Sequence, residues 1–385
     1  MPRNVAIVGT GQTHHQRRIL DSNMAEIVGI AVKRALEDAG LTMKDIDAVL
    51  IGNMEHFEGI NNVDMWQVDC SGSYMKHGMK IVTGGTTGTT VAMAGYYHVK
   101  SGLFDTVLAI GWEKQSEGDT TTSLVTAADP IWERSSVAGA LSVFGAWAQW
   151  FMNEYNLSPE HAAKVAAKNR QNGRKNPYSH LKLDITPDMV MKSPVLAFPI
   201  RQLDMCPASD GAAALVFASE EKARKITTRP AWVAACASAH DMAFGGDVPG
   251  YVDLRSLRVA AQTVYRKAGI RDPRKDIDVF EVYEPSSWSE LSIYEALGVC
   301  EPGKCGDLID SGETYADGSM PFNPSGGILC TNCIGASGML RVVEAAIQIR
   351  GQGGERQIEN VNTAMATGFG GNWWSDALIL KKRLH

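Results

Sequence analysis

Ala39–Leu50 reads AGLTMKDIDAVL, and Ala268–Phe280 repeats its plan as AGIRDPRKDIDVF. In both copies an amphipathic helix ends at a glycine, and an Asp-Ile-Asp triplet then introduces an apolar run typical of a buried strand. A second internal repeat relates Gly84–Gly102 to Gly335–Gly351, because each segment contains a glycine-rich turn, one helix and a closing glycine. Internal repeats of this kind predict two similar α/β halves in one chain.

The halves are predicted to cover residues 1 to about 223 and about 228 to 385. Between about 115 and 203 the composition becomes polar and the alternation of strands and helices stops, so we interpret this part as an inserted loop domain. Elsewhere, strands that alternate with helices predict a parallel or mixed sheet covered on both faces. Two like halves usually place a site where they meet, with the glycine turns directing helix N-termini toward it.

The composition excludes several classes of protein. The chain has 385 residues, of which 44% are hydrophobic and 21% charged, with a net charge of -6. This composition has too many hydrophobic residues and too small an excess of one charge for a disordered chain. No apolar run is long enough to span a bilayer. An acidic chain without extended basic runs is unsuited to binding nucleic acid. The first residues show no signal-peptide plan, so we expect a cytoplasmic protein that binds neither nucleic acid nor membrane.

Seven cysteines are present, and an odd number in a chain of this size indicates reduced thiols. Four of them crowd the last quarter, namely Cys300, Cys305, Cys330 and Cys333. Their spacings resemble those of zinc ligands, but the first pair lacks the usual two-residue knuckle, so we expect no metal site. Histidine is absent between His240 and His385, which predicts that chemistry in the last third lacks a local imidazole.

Four segments carry a family resemblance: Ser158–Arg170, Leu203–Ala214 with its Cys-Pro and Ser-Asp-Gly elements, Asn323–Gly327, and Ile334–Gly338. On these residues the chain resembles the thiolase superfamily over essentially its whole length. The resemblance implies a duplicated five-layer αβαβα fold, a tight homodimer, an acyl-CoA substrate, coenzyme A as co-substrate and no covalently bound cofactor. The chain looks most like the lipid-transfer-protein-type (SCP-x-like) branch, whose members often work with a small subunit that contains a zinc ribbon and an OB fold.

The departures from the family pattern are concentrated at its catalytic positions. The family's nucleophilic cysteine, whose pKa is lowered by a helix N-terminus, corresponds to Gly85. The adjoining Thr86 and Thr87 are interpreted as helix caps. The family's Gly-His-Pro corresponds to Thr331–Cys333, so that Asn332 takes the histidine position to within about one residue. The family's Asn-Glu or His-Asp pair is Tyr283 with Glu284, and the terminal loop Ala366–Trp374 has no cysteine.

The candidate catalytic residues follow from these positions. Cys333 or Cys330 could supply a relocated nucleophile, with Cys333 favoured because it directly precedes a helix; both could equally be small buried hydrophobes. Asn332 could donate a hydrogen bond to a thioester carbonyl. Tyr283 with Glu284 forms an acid/base pair, although a strand-end tyrosine often has only a packing role. The N–H groups of Gly85 and Gly370 are expected to form the oxyanion pocket.

Four aromatic residues lie in or beside the same motifs: Trp288, Phe369, Trp373 and Trp374. Core packing is the default role of tryptophan, but several at site loops favour a pocket for a bulky acyl group, including aromatic ones. Arg174 and Lys175 belong to a basic run in the loop domain, which is usually a solvated face. In the family that region approaches the phosphates of coenzyme A, so both are weaker candidates for coenzyme A binding.

The leading hypothesis is a thiolase that cleaves a bulky β-ketoacyl-CoA by thiolysis in a catabolic pathway. Within the family the chain looks similar to thiolases of aromatic catabolism, such as the large subunits of benzoylsuccinyl-CoA thiolases. The first alternative is a retro-aldolase of the steroid side-chain type, which acts on a β-hydroxyacyl-CoA and needs no nucleophile. The second alternative is a non-catalytic scaffold that binds acyl-CoA or a partner subunit.

Overall fold

The computed structural model describes residues 3–135, 139–241, 253–371 and 374–384. The strands are β1 (Val5–Gln12), β2 (Ala48–Gly52), β3 (His77–Ile81), β4 (Thr106–Lys114), β5 (Val195–Ala197), β6 (Ile200–Arg201), β7 (Asp210–Ser219), β8 (Ala231–His240), β9 (Val279–Glu281), β10 (Thr363–Phe369) and β11 (Trp374–Lys381).

The α-helices are α1 (Met24–Ala39), α2 (Val68–Ser71), α3 (Thr87–Lys100), α4 (Thr120–Val125), α5 (Ala140–Tyr155), α6 (Pro159–Arg174), α7 (Pro187–Lys192), α8 (Glu220–Ile226), α9 (Arg255–Ala268), α10 (Pro273–Asp276), α11 (Ser287–Ala296), α12 (Cys305–Ser311), α13 (Gly327–Cys330) and α14 (Ile334–Arg350). Single 3-10 turns occupy Met43–Asp45, Val63–Gln67, Gln115–Glu117, Gln202–Asp204 and Gly354–Arg356. None of the described helices has the length and apolarity needed to cross a membrane.

The main sheet is mixed and runs in the order β3-β2-β4-β7-β1-β8-β11-β10-β9. Its first five strands come from the first half of the chain and its last four from the second half. Two residue pairs, Ala6 with Trp232 and Ile7 with Ala231, join the halves across β1 and β8. The α/β organisation predicted from the repeat is therefore confirmed, with the halves side by side in one sheet.

The layers follow from where each helix buries its apolar face. Helix α1 packs against β1 and β7 on one outer side, and α9 packs against β8 and β11 on the other. Helices α3 and α14 pack on each other between the sheet portions. The closest approach uses glycine: a Cβ on Gly88 would lie 2.5 Å from the nitrogen of Met339, and one on Gly338 would lie 2.8 Å from that of Thr89. Small residues at both positions bring the two helix N-termini together, as the five-layer fold requires.

The closing glycine predicted for the first helix is present, and side chains cap the start of two helices. Asn23 caps α1 through a capping box with Glu26, and Gly40 closes the helix in the left-handed conformation at φ 65. In the inserted loop domain, Ser158 caps α6 and Pro159 occupies its first turn. Most of the last three turns of α6 are buried, including polar residues, because this helix lies against α11, α12 and α13 of the second half.

Candidate active site

The turn before α3 is braced by threonine hydroxyls. Thr86 donates to the carbonyl of Thr83 at 2.7 Å, and Thr87 donates to the carbonyl of Gly84 at 2.6 Å while accepting from the N–H of Thr83 at 3.0 Å. Neither hydroxyl caps an N–H group of the helix itself. The interpretation of Thr86 and Thr87 as helix caps is therefore wrong, because their short side chains bond back to the preceding turn.

Gly85 lies directly against the terminal loop. A Cβ on Gly85 would stand 2.3 Å from the carbonyl oxygen of Phe369, far closer than real Cβ atoms approach an oxygen. The space that a side chain would need at the family's nucleophile position is thus filled by backbone. The N–H of the neighbouring Gly370 donates to the carbonyl of Trp374 at 2.8 Å, so an oxyanion role for Gly370 would require that bond to open.

Tyr283 and Asn332 meet at the centre of the site. The phenol of Tyr283 donates to Oδ1 of Asn332 at 3.4 Å, and the hydroxyl of Ser337 donates to the same oxygen at 2.9 Å. The amide Nδ2 of Asn332 donates to Sγ of Cys206 at 3.3 Å. Burial raises the pKa of the Tyr283 phenol above its usual value and that of the Cys206 thiol to about 12. At neutral pH the cluster therefore presents neutral donors.

The backbone of Asn332 is held by the strand that returns from the loop domain. Its N–H donates to the hydroxyl of Ser209 at 3.1 Å, and its carbonyl accepts from the N–H of Ser209 at 2.9 Å. Nδ1 of His180 lies 2.8 Å from the same hydroxyl. Burial is the main cause of the lowered pKa of His180, and the positive charge of Arg170 is the second cause. The imidazole is therefore neutral at neutral pH, and it contacts the Asn332 loop through Ser209.

Cys330 and Cys333 are both fully buried and face different partners. The thiol of Cys330 donates to the carbonyl of Asn169 at 3.3 Å, and Sγ of Cys333 lies 3.3 Å from Nδ1 of His15. Burial raises the pKa of Cys330 to about 11 and raises that of Cys333 as well, although Cys333 precedes α14. Desolvation outweighs the helix N-terminus here, and both thiols are protonated at neutral pH.

Glu284 anchors the loop rather than facing open space. Its Oε1 accepts from Nδ2 of Asn169 at 3.1 Å and from the N–H of Leu329 at 3.1 Å. Burial and then the charge of Glu290 raise the pKa of Glu284 to about 8. Its role in the structure is to tie α13 to α6, and the acid/base role assigned to it with Tyr283 stays a prediction.

The four predicted pocket aromatics have different surroundings. The ring of Phe369 stacks on Tyr283 with centroids 6.0 Å apart and lies 6.1 Å from the ring of Phe144. Trp288 is buried in the core with no exposed surface to offer a substrate. The indole nitrogen of Trp374 donates to Ser238 at 2.7 Å. Trp373 lies outside the described residues.

Arg174 and Lys175 line a surface cavity of about 710 Å³. Arg174 forms an ion pair with Asp184 at 2.7 Å. None of the residues that meet at Asn332 lines this cavity, so the basic pair stands apart from that cluster in the described structure. The proposed contact with coenzyme A phosphates stays a prediction.

The second-half cysteines do not assemble into a metal centre among the described residues. No group of three or more His, Cys, Asp or Glu side chains in these ranges could hold an ion. All seven cysteines are free thiols.

Comparison with known families identifies the fold. The model of the thiolase N-terminal domain matches residues 5–196, and that of the thiolase C-terminal domain-like family matches residues 224–382. The chain belongs to the thiolase family. It is 31% identical to acetyl-CoA acetyltransferase of Methanothermobacter thermautotrophicus over 99% of its own length and 100% of that protein. It is 29% identical to sterol carrier protein 2 of Bos taurus, covering 95% of this chain and 70% of the relative.

Solved structures agree on the thiolase fold. The Ltp2-ChsH2(DUF35) aldolase superimposes with a TM-score of 0.86 at 23% identity, over 100% of this chain and 99% of that chain. Human mitochondrial 3-ketoacyl-CoA thiolase in complex with CoA gives a TM-score of 0.76 at 16% identity, over 99% and 98% of the two chains. Thiolases are acyltransferases that use coenzyme A as a substrate, and this chain shares their complete fold.

Sequence reasoning missed several groups that surround Asn332 in this thiolase-family protein. Cys206 and Ser209 lie in the Leu203–Ala214 segment, whose sequence carries the family resemblance but no catalytic pattern. The expectation that chemistry in the last third lacks a local imidazole is correct along the sequence only. In the structure His15 contacts Cys333, and His180 contacts Ser209, which bonds to Asn332. No local pattern marks these two histidines.

Proposed function

We propose that this thiolase-family chain cleaves the Cα–Cβ bond of a coenzyme A thioester without an acyl-enzyme on α3, and that the reaction is the retro-aldol cleavage of a β-hydroxyacyl-CoA. One observation carries the proposal: the carbonyl of Phe369 fills the space of a side chain at Gly85. A nucleophile at that position is excluded by the backbone and not merely replaced by another residue type.

The two reactions differ in what they require of the protein. Thiolysis without an enzyme nucleophile needs free coenzyme A and acyl-CoA bound at the same time, so that one thiol can attack the other molecule's ketone. Retro-aldol cleavage needs one substrate only. The β-hydroxyl loses its proton and becomes a carbonyl, the electron pair of the Cα–Cβ bond moves onto the thioester as an enolate, and a proton returns to Cα. The products are a shortened acyl-CoA and an aldehyde or ketone.

The neutral donors at the site suit this chemistry. The Tyr283 phenol and the Asn332 amide can donate to an oxygen on which negative charge develops, and the N-termini of α3 and α14 add positive dipole ends. Neutral His180, coupled to Asn332 through Ser209, is our candidate for taking the hydroxyl proton. The structural neighbour named an aldolase supports the same reaction class for this chain.

The acyl group is proposed to be bulky, including aromatic groups, with a role in catabolism. The rings of Phe369 and Phe144 beside Tyr283 support a wide apolar pocket. Coenzyme A enters as part of the substrate, and we propose no other cofactor.

Thiolysis of a β-ketoacyl-CoA is the second candidate, and Cys206 is the observation in its favour. Its thiol accepts the Asn332 amide at 3.3 Å and is less enclosed than Cys330 and Cys333. The full-length relative named acetyl-CoA acetyltransferase supports acyl transfer. In this version the acyl group would be carried on Cys206, with Cys333 and Cys330 retained as the candidates suggested by sequence.

The proposed assembly is a cytoplasmic homodimer with a small zinc-ribbon/OB-fold subunit. Strand β3 ends the sheet and carries a free edge with exposed apolar neighbours, which suits pairing with a second copy: Tyr74, Met75, Met79 and Val82. The structural neighbour is a complex with a DUF35 component, which supports a partner subunit here.

The deciding experiment supplies the purified complex with matched aryl β-hydroxyacyl-CoA and β-ketoacyl-CoA substrates. Carbonyl trapping reports aldehyde or ketone release, and free coenzyme A is varied from none to excess. Release from the hydroxy substrate without free coenzyme A supports the retro-aldolase. Turnover of the keto substrate that requires free coenzyme A contradicts it and supports thiolysis. Tight acyl-CoA binding without turnover of either substrate contradicts both and supports the scaffold hypothesis.

A further inference from the structure

Arg170 lies under the candidate site and spans two of its loops. The residue belongs to α6 and is only 2% exposed. Its Nη1 donates to the carbonyl of Leu329, and its Nη2 donates to the carbonyl of Met205 at 2.8 Å. One guanidinium thus joins a segment of the first half to a segment of the second half.

The two carbonyls belong to the loops that deliver the site's donors. Met205 precedes Cys206, and Leu329 lies three residues before Asn332. The side chains of Cys206 and Asn332 meet at 3.3 Å. The fork geometry of a guanidinium fixes the separation of its two acceptors, so Arg170 sets the spacing of the loops just below the contact between these side chains.

Arg170 forms no direct ion pair with a carboxylate among the described residues. Burial raises the pKa of the Asp204 carboxyl, and the charge of Arg170 acts against that rise, so these two side chains interact without a direct bond. Each of the other buried cations forms an ion pair with a carboxylate: Lys114, Lys168, Arg341, Arg350 and Arg356. Arg170 has only carbonyl oxygens, and its Nε has no hydrogen-bond partner in the described structure. A buried charge that lacks a direct ion pair is costly, and an anion in the occupied site would offset part of that cost.

The neighbouring groups respond to this charge. Burial is the main cause of the raised pKa of the Cys206 and Cys330 thiols, and the charge of Arg170 acts against it in both. The same charge adds to burial in lowering the pKa of His180. The positive potential therefore extends to the side chains around Asn332.

We propose that Arg170 is a positioning residue of the site, which clamps the Cys206 and Asn332 loops together and supplies a buried positive charge, held in no direct ion pair among the described residues, that favours an anion on the bound thioester. The clamp is independent of the reaction. The role of the charge toward an enolate rests on the proposed function, since that reaction places negative charge on the thioester oxygen.

The clamp is tested by hydrogen exchange on the full chain. Arg170→Lys and Arg170→Gln both lose the two-carbonyl bridge, so exchange should rise in residues 203–209 and 327–333. Lys164→Gln is the matched control, because it removes a cation from the same helix at the surface, where Lys164 pairs with Asp310. Unchanged exchange in both Arg170 variants would overturn the clamp.

The charge is tested by comparing the two Arg170 variants with each other, because both lack the bridge and only one keeps the charge. Alkylation of Cys206 by iodoacetamide, read by peptide mass spectrometry, should be about tenfold faster in Arg170→Lys than in Arg170→Gln, which is the effect of about one pKa unit. Equal alkylation rates in the two variants would overturn the proposed effect of the Arg170 charge.

The kcat for cleavage should fall in both variants, and it should fall further in Arg170→Gln. If the wild type cleaves neither substrate, the proposed function fails, while exchange and alkylation still decide the role of Arg170.

Discussion

The carbonyl oxygen of Phe369 occupies the space that a side chain at Gly85 would need, since a Cβ there would lie 2.3 Å away. Gly85→Cys therefore does not restore a thiolase nucleophile. We expect overpacking to destabilise the variant by about 1–3 kcal/mol, because backbone must move. The measurement is the free energy of unfolding in urea, with intact-protein mass after exposure to acyl-CoA. Gly78→Ala is the control, as its Cβ would meet only the Val49 carbonyl at 3.6 Å. A stable, acylated Gly85→Cys protein would contradict the prediction.

Tyr283→Phe removes the phenol and leaves the ring that stacks on Phe369. We expect kcat for the cleavage reaction to fall by about 10²–10³-fold, the usual effect of losing one hydrogen-bond donor to a developing oxyanion. Stability should change little, because Asn332 keeps its bond from Ser337 at 2.9 Å. Tyr265→Phe is the control, since that hydroxyl bonds to the carbonyl of Leu297 at 3.0 Å, in the packing of α9. Full activity in Tyr283→Phe would remove this residue from the mechanism.

Cys330→Ala and Cys333→Ala test the nucleophile suggested by the sequence. Because both thiols are buried with raised pKa values, we expect the two variants to retain turnover. Cys333→Ala should cost about 1–3 kcal/mol of stability, since it leaves a buried nitrogen of His15 without its partner. Turnover and urea unfolding are measured together, with Cys236→Ala as a buried control outside the loop. Loss of turnover in either loop variant, without loss of folding, would restore the thiol hypothesis.

The buried imidazole of His15 makes stability depend on pH. Burial lowers its pKa from 6.5 to about 3, so between these values the unfolded chain binds a proton that the folded chain does not. Acidification through this window lowers the free energy of unfolding by up to about 1.4 kcal/mol per pH unit from this residue. His15→Gln should remove that slope, whereas His14→Gln, an exposed neighbour, should keep it. Urea unfolding from pH 4 to 7 gives the slopes, and equal slopes in wild type and His15→Gln would refute the assignment.

The internal repeat predicted the α/β fold because helices, strands and turns leave local signals in the sequence. Apolar periodicity, a closing glycine and a glycine-rich turn occur in both halves. The motif positions also made Tyr283 and Asn332 candidates for one site, and the phenol of Tyr283 contacts Oδ1 of Asn332 at 3.4 Å. The surroundings of the site could not be read in the same way. Cys206 contacts Asn332 across 126 residues, and His15 contacts Cys333 across 318. Such pairs depend on how loops of different halves pack, which no local periodicity encodes.

Two candidate roles suggested by position in the chain, those of Cys333 and Trp288, depend on burial in the folded protein. Cys333 has the sequence context of an activated thiol at a helix N-terminus, yet desolvation raises its pKa. Trp288 has the context of a pocket residue, yet α11 turns it into the core. In both cases the residue type and its neighbours along the chain were read correctly, and the direction of the side chain was decided by tertiary packing.

The junction of β1 with β8 limits how this chain could be divided. Cutting the connection between Ile226 and Ala231 would leave each fragment with a newly exposed strand edge, β1 in one and β8 in the other. Free edges of buried apolar strands pair with whatever strand they meet. Fragments made separately should therefore aggregate, and only fragments synthesised together should reassemble into a soluble pair.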